Sequence, residues 1–236
     1  MEIIINLLSF ILCDGYRIEY LLSCTPIYYL GILIVVSGFS GADKGTVMKS
    51  LIDRYDSYAL SVSATTRQPR PGEAEGKAYF FKTRDEFEQM IADGSLIEYA
   101  QYVDNYYGTP RAYVEQQLSE GRDVILEIEI QGARKVREQF PEAVLLFVTA
   151  KDLPTLRSRL TGRGTETPEV VAQRLRRAAQ EAEGIEEYDY LVINDDLETC
   201  VEEIHRIIES EHRRISRNRD FICQIREELE EFSKGE

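Results

Sequence analysis

From Gly31 onward, unbroken apolar runs alternate with stretches whose apolar residues recur every three or four positions. The runs "GILIVVSG" (31–38), "DVILEIEI" (123–130), "AVLLFVTA" (143–150) and "YDYLVIN" (188–194) suit parallel strands covered on both faces. Helical spacing accompanies them: Val47, Met48, Leu51 and Ile52 within 44–55, then amphipathic patterns at 131–139, 168–184 and 196–217. This alternation predicts an α/β fold in which helices wrap a parallel sheet. Between about Thr65 and Pro110 the texture changes to Gly, Pro, aromatics and short strand-like pieces ("AYFFKT", "LIEYAQYV", "NYYGT"). That segment is expected to form a smaller, more antiparallel insertion beside the core.

Two ends of the chain follow other rules. Residues 212–219 ("HRRISRNR") are basic, whereas from Asp220 onward six acids stand against Arg226 and Lys234, a net of −4. Phe221, Ile225, Leu229 and Phe232 fall at helical intervals, so 220–236 is read as an acidic tail whose amphipathic helix packs on its own domain. Residues 1–30 begin "MEIIINLLSFILC", apolar enough to suggest a signal peptide or a membrane span. Glu2 without a preceding Lys or Arg, interruptions at Asp14, Arg17 and Glu19, and no A-x-A-like site argue against both. They are read as a poorly ordered N-terminal extension.

Composition narrows the function. At 236 residues and 43% hydrophobic content the chain can bury a sizeable core. A net charge of −14 argues against nucleic-acid and anionic-membrane partners, so any phosphate site must be a local basic pocket. Cys13, Cys24, Cys200 and Cys223 form no C-x-x-C pair, and reduced cytosolic thiols are the expectation. His205 and His212, seven apart on one helical pattern, are read as a solvated face.

Candidate chemistry begins in "SGFSGADKGT" (37–46), between the first strand and its helix. The P-loop formula G-x-x-x-x-G-K-[ST] wraps phosphate oxygens in backbone N–H groups while its lysine reaches the terminal phosphates. Here Gly38 is the first glycine, Lys44 stands at the right distance, and Ser40, Gly41 and Ala42 lie between. Asp43 replaces the second glycine, and Gly45 stands where the formula has its Ser or Thr, with Thr46 one residue later. A second cluster, "SVSATTRQPRPGEAEGKAYFF" (61–81), gathers Ser63, Thr65, Thr66, Arg67, Arg70 and Tyr79. Two arginines three apart can present forked donors to one phosphate, and hydroxyls can complete its shell.

With "S-x-S-x-T-T-R-x-P-R-x-G-E", "IEYAQY…NYYGT", "EIEIQGA", "RLTGRGTET" and "VINDDL" in this order, residues 31–215 resemble guanylate kinase, which transfers a phosphoryl group from ATP to GMP. The resemblance implies a three-layer P-loop kinase core (31–63, 111–149 and 186–215), a small α+β GMP-binding insert (about 64–110) and a helical lid (about 150–185), in a domain ending near 219. It implies that Arg67, Arg70, Tyr79 and Tyr107 hold the GMP phosphate, that Ser63, Glu98 and Thr109 recognise guanine, and that Glu127 and Glu129 lie near the nucleotide and Mg2+. A carboxylate is acceptor-only and can take the adjacent N1–H and N2–H donors of guanine. Strand alternation would point Glu127 and Glu129 to the same side. The lid arginines Arg159, Arg163 and Arg174 would close on the ATP phosphates together with Lys44, and Asn194 would lie near the adenine. Implied partners are ATP and GMP, with dGMP a related acceptor, in a cytoplasmic enzyme; association of copies as a homo-oligomer is left open.

Asp43 departs from this pattern. Two unit charges about 4 Å apart at an effective dielectric near 20 repel by roughly 4 kcal/mol, on the order of a thousandfold in affinity. ATP use is therefore expected to be impaired and GMP binding intact, with glycine at 43 restoring the first. The alternatives are a non-catalytic guanylate-kinase-like module that binds GMP or protein, and a kinase for a phosphorylated sugar. The complete GMP-side cluster favours the first reading over both.

Overall fold

The computed structural model describes residues 31–102, 104–162 and 167–235. The N-terminal extension and Arg163 lie outside the described residues. In chain order the elements are β1 (Leu33–Gly38), α1 (Lys44–Arg54), β2 (Tyr58–Leu60), β3 (Ala64–Thr65), β4 (Phe80–Phe81), α2 (Arg84–Ala92), β5 (Leu96–Tyr102) and β6 (Asn105–Pro110). They continue as α3 (Arg111–Ser119), β7 (Asp123–Glu127), α4 (Ile130–Gln139), β8 (Val144–Thr149), α5 (Leu153–Gly162), α6 (Pro168–Ala182), β9 (Tyr190–Ile193), α7 (Leu197–His212) and α8 (Arg219–Gly235).

Among the described residues, 31–208 belong to one compact unit and 209–235 to another. The larger unit is built on a five-stranded parallel sheet of order β2-β7-β1-β8-β9. β1 runs through its middle because every residue of Leu33–Val36 has a buried place to go. Ile34 and Val36 pack with Val47, Met48 and Leu51 of α1 and with Val201 and Ile204 of α7. Leu33 and Val35 point the other way, toward Val114 and Leu118 of α3 and Ala133 and Val136 of α4. Two-sided burial is thus the physical reason for the unbroken apolar run. Asp123, itself buried, accepts from Ile32 N at 2.8 Å and so pins the start of β1 to β7.

The insertion is a four-stranded sheet of order β4-β3-β6-β5, antiparallel across β3-β6 and β6-β5 but parallel across β3-β4. Phe87 of α2 is fully buried against Ala64, Leu96 and Phe80, and its ring stacks on Tyr106 with centroids 5.2 Å apart. A Thr83–Glu86 capping box starts α2.

Three expectations change. β7 stops at Glu127, and Glu129 is the N-cap of α4, so these two acids do not alternate along one strand. His205 is half-buried rather than solvated: it stacks on Tyr55 at 3.7 Å, and its Nδ1 lies 2.6 Å from Tyr58 Oη. The tail does form a helix, but Phe221, Leu229 and Phe232 are more than 60% exposed, so its apolar stripe is not buried. No helix among the described residues is long and apolar enough to cross a membrane.

Because Phe87 carries the small core of the insertion, Phe87→Ala is expected to lower the unfolding free energy by about 3–5 kcal/mol. Urea denaturation of the two proteins checks this; a loss below about 1 kcal/mol would show that the insertion does not depend on that contact.

Candidate functional site

The loop between β1 and α1 owes its path to close approaches that only glycine permits. A Cβ on Gly38 would lie 1.9 Å from the Val148 carbonyl oxygen, and Gly41, at φ +93°, would put one 2.9 Å from Leu160 Cγ. Ala42 is fully buried, and Asn194, 4% exposed, donates its amide to the Ala42 carbonyl at 2.9 Å. Asn194 is therefore placed to brace the loop. Asp43 takes φ +58° and ψ +32°, the left-handed conformation, alone among the described non-glycine residues. Its carbonyl accepts from Thr46 N and Val47 N at 3.1 and 3.2 Å, which starts α1 at Lys44 and Gly45.

Side chains converge on this loop. Lys44 Nζ donates to the carbonyls of Gly38 at 2.7 Å and Phe39 at 3.3 Å, so the lysine folds across its own turn. Arg174 of α6 donates to Ser40 Oγ at 2.9 Å. Arg159 of α5 reaches Asp43, with Nε 3.6 Å from Oδ2. Its Nη1 is buried with no hydrogen-bond partner among the described residues. A buried donor left in this state costs about 1–3 kcal/mol, which an anion supplied by a ligand would relieve.

A second group of side chains sits on the insertion. Arg67 grips Glu73 through two bonds, Nη1 to Oε2 at 3.0 Å and Nη2 to Oε1 at 2.9 Å, and Arg70 N donates to Glu73 Oε2 at 2.7 Å. The Arg67 guanidinium lowers the pKa of Glu73 and the Glu73 carboxylate raises that of Arg67, each chiefly through their mutual hydrogen bonds. The Arg67 guanidinium lies over the Tyr79 ring at 5.2 Å, and Tyr79 meets Tyr107 edge-on at 6.1 Å. Sequence-distant Arg67, Tyr79 and Tyr107 are thus neighbours. The side chain of Arg70 is exposed. Ser63 joins the same region through its carbonyl, which accepts from Phe80 N at 2.9 Å.

Glu98 and Thr109 meet across β5 and β6, where the Thr109 hydroxyl donates to Glu98 Oε1 at 2.7 Å. Both are buried, at 8% and 0% exposure. Desolvation raises the Glu98 carboxyl above the usual range, while the Thr109 bond and the Lys135 charge oppose it. Space for the second oxygen, Oε2, depends on Gly132 of α4: a Cβ there would stand 3.2 Å from it.

The wall between these groups carries Glu127 and Glu129. Glu127 is solvent-accessible but ringed by protein; that partial desolvation raises its carboxyl, and the charge of Lys44 acts the other way. Its Oε2 lies 3.8 Å from where a Cβ on Gly45 would be, which places it beside the loop. Glu129, exposed, accepts from Arg177 of α6, an arginine that also holds Glu181 at 3.0 Å. Sequence reasoning overlooked Arg177 and Glu73 as members of the site. For Glu73 a signal existed, since an acid three residues after Arg70 can reach back to both arginines; for Arg177, one of three arginines within residues 174–177, none did. Among the described residues no cluster of three or more His, Cys, Asp or Glu side chains could hold a metal ion unaided.

Comparison with known proteins accounts for this combination of loop, insertion and arginine-bearing helices. The family model "Guanylate kinase" matches residues 31–211. A guanylate kinase of Lactococcus lactis is 54% identical over 187 residues, covering 79% of this chain and 91% of its own. One from Caldanaerobacter subterraneus is 50% identical over 198 residues, covering 84% and 96%. Among solved structures, guanylate kinase from Anaplasma phagocytophilum superposes with a TM-score of 0.64 at 34% identity, over 80% of this chain and 90% of that one. The chain belongs to the guanylate kinase family.

Proposed function

We propose that the cleft transfers the γ-phosphoryl group of ATP to GMP, giving ADP and GDP. The observation that carries this reading is the buried Glu98–Thr109 pair beside the Arg67, Tyr79 and Tyr107 cluster. Glu98 supplies an acceptor for the paired N–H donors of guanine, a feature that adenine does not present at the same edge. Arg67 and Arg70, with the two tyrosine hydroxyls, take the GMP phosphate, and Ser63 completes the nucleotide's surroundings. The alternative of a non-catalytic binding module has no use for this acceptor pair together with Lys44, Arg159 and Arg174.

Lys44 and the backbone of residues 38–46 hold the ATP phosphates, and Arg159, Arg163 and Arg174 neutralise charge that spreads over the transferring group. An oxygen of the GMP phosphate attacks the γ-phosphorus as the bond to the β-phosphate oxygen breaks, so no covalent enzyme intermediate or protein general base is required. Positioning of the two nucleotides and exclusion of water by the lid are the protein's main contributions. Mg2+ usually binds through one or two carboxylates plus substrate phosphates, and Glu127 beside the loop with the Thr46 hydroxyl suits that role. When bound, the ion neutralises phosphate charge. Glu129, engaged by Arg177, is a poorer candidate for it. A cytoplasmic setting belongs to the same reading.

Two experiments test it. Glu98→Gln exchanges an acceptor for an N–H2 group facing guanine donors, and kcat/KM for GMP is expected to fall about a hundredfold or more with the KM for ATP nearly unchanged. Equal kinetics with GMP would overturn the assignment. The raised Glu98 pKa fixes the sign of the pH effect: as pH falls through it the carboxylate is protonated and loses its acceptor, so kcat/KM for GMP declines. The decline starts above the ordinary carboxylate range. Thr109→Val removes a bond that stabilises the ionised form and is expected to move that acid limb to still higher pH; a limb unmoved by this change would assign it to another group.

A further inference from the structure

Asp43 is unusual in three respects that concern one place. It stands where the P-loop formula has glycine, it adopts the left-handed backbone that glycine would supply, and its carboxylate lies 3.6 Å from Arg159 Nε. The two residues are far apart in sequence, so the pair is made by the fold and not by local chain geometry. Arg159 keeps a buried Nη1 without a hydrogen-bond partner among the described residues, so the guanidinium is anchored on one side and unsatisfied on another. Asp43 and Arg159 retain 36% and 22% side-chain exposure, which leaves the contact accessible to a competing anion.

We propose that the Asp43 carboxylate occupies Arg159 in the place of an ATP phosphate oxygen and thereby sets the affinity of the cleft for ATP. This rests on the kinase reading above and adds a mechanism to it. Direct repulsion between Asp43 and the phosphates would weaken ATP whether or not Arg159 were present. Occupation of Arg159 makes the penalty depend on that arginine, because ATP must displace an internal anion before gaining its own contact. The Arg67–Glu73 pair lies on the insertion, and neither of its residues contacts Asp43 or Arg159 in any described hydrogen bond or ion pair. GMP affinity is therefore independent of the change.

A double-mutant cycle read by calorimetry decides the matter, using a non-hydrolysable ATP analogue and, separately, GMP. The proteins are the full chain, Asp43→Asn, Arg159→Gln and the double variant, with Asp43→Gly as a second relief of the charge. Asparagine keeps the shape and tolerates the left-handed backbone, so it isolates the charge. A fully expressed effect would be roughly a thousandfold at an effective dielectric near 20. Partial exposure and salt reduce the expected gain in analogue affinity for Asp43→Asn to roughly ten- to a hundredfold. The gain should appear as a lower KM for ATP with little change in kcat, and should shrink to about twofold or less when Arg159 is already glutamine. A gain of equal size in both backgrounds would overturn the proposal in favour of direct repulsion, as would no gain in either Asp43 variant. If GMP binds none of the proteins, the kinase reading itself fails; if GMP binds all of them equally while the ATP analogue shows no coupling, only the Asp43–Arg159 proposal fails.

Discussion

An acidic chain that handles polyanions has to concentrate positive charge where phosphates go, and to hold it there before they arrive. With a net charge of −14 there is no broad basic surface to do this. Three arginines of the cleft are instead steadied by an internal acceptor: Arg67 by Glu73, Arg177 by Glu129 and Arg174 by the Ser40 hydroxyl. Partly exposed pairs of this kind contribute little to stability, commonly under about 1 kcal/mol. Their effect is geometric: they restrict long side chains to orientations from which a phosphate can be met.

That arrangement needs a rigid floor, and the parallel sheet provides it. β1 and β7 are neighbours, with Val36 in register with Glu127, so the strand that feeds the phosphate loop and the strand that presents an acid end side by side. Ser37 Oγ donates to the Ile128 carbonyl at 2.7 Å, tying the two exits together. Just beyond, α4 begins, and its Gly132 leaves the room that Glu98 of the insertion requires. Loop, acid and insertion are therefore coupled through a few backbone contacts at the carboxyl ends of strands, where open α/β sheets place their ligands.

How far the sequence discloses this depends on the distance over which an interaction acts. The core strands are legible because burial on both faces leaves a continuous apolar run, as in Leu33–Val36. The same reasoning misled at "EIEI", since the alternation of acids and isoleucines persists across the junction from β7 into α4, and period alone does not mark the break at Glu127. Arg67, Tyr79, Tyr107, Glu98 and Thr109 are named by the family resemblance of the motifs that hold them, and the fold brings Arg67 to Tyr79, Tyr79 to Tyr107 and Glu98 to Thr109. Pairings such as Arg177 with Glu129 or Tyr58 with His205 join residues 48 and 147 positions apart, and no local pattern encodes them. His205 looked like a solvated helix residue because nothing nearby in the chain announces the tyrosines that cover it.

Asp43 shows why stability and activity can respond differently to one residue. The left-handed conformation costs a non-glycine residue roughly 1–2 kcal/mol, and aspartate is among the residues that tolerate it best. The loop absorbs this cost because its backbone is fixed from elsewhere: Asn194 holds the Ala42 carbonyl, and the Asp43 carbonyl receives the first N–H groups of α1. The Cβ and carboxylate consequently do not distort the fold; they project from a correctly formed loop and find Arg159. Where the P-loop formula has glycine, a negative charge stands beside an arginine. The fold is preserved because its determinants lie in the sheet and in the loop's backbone, not in the side chain at position 43.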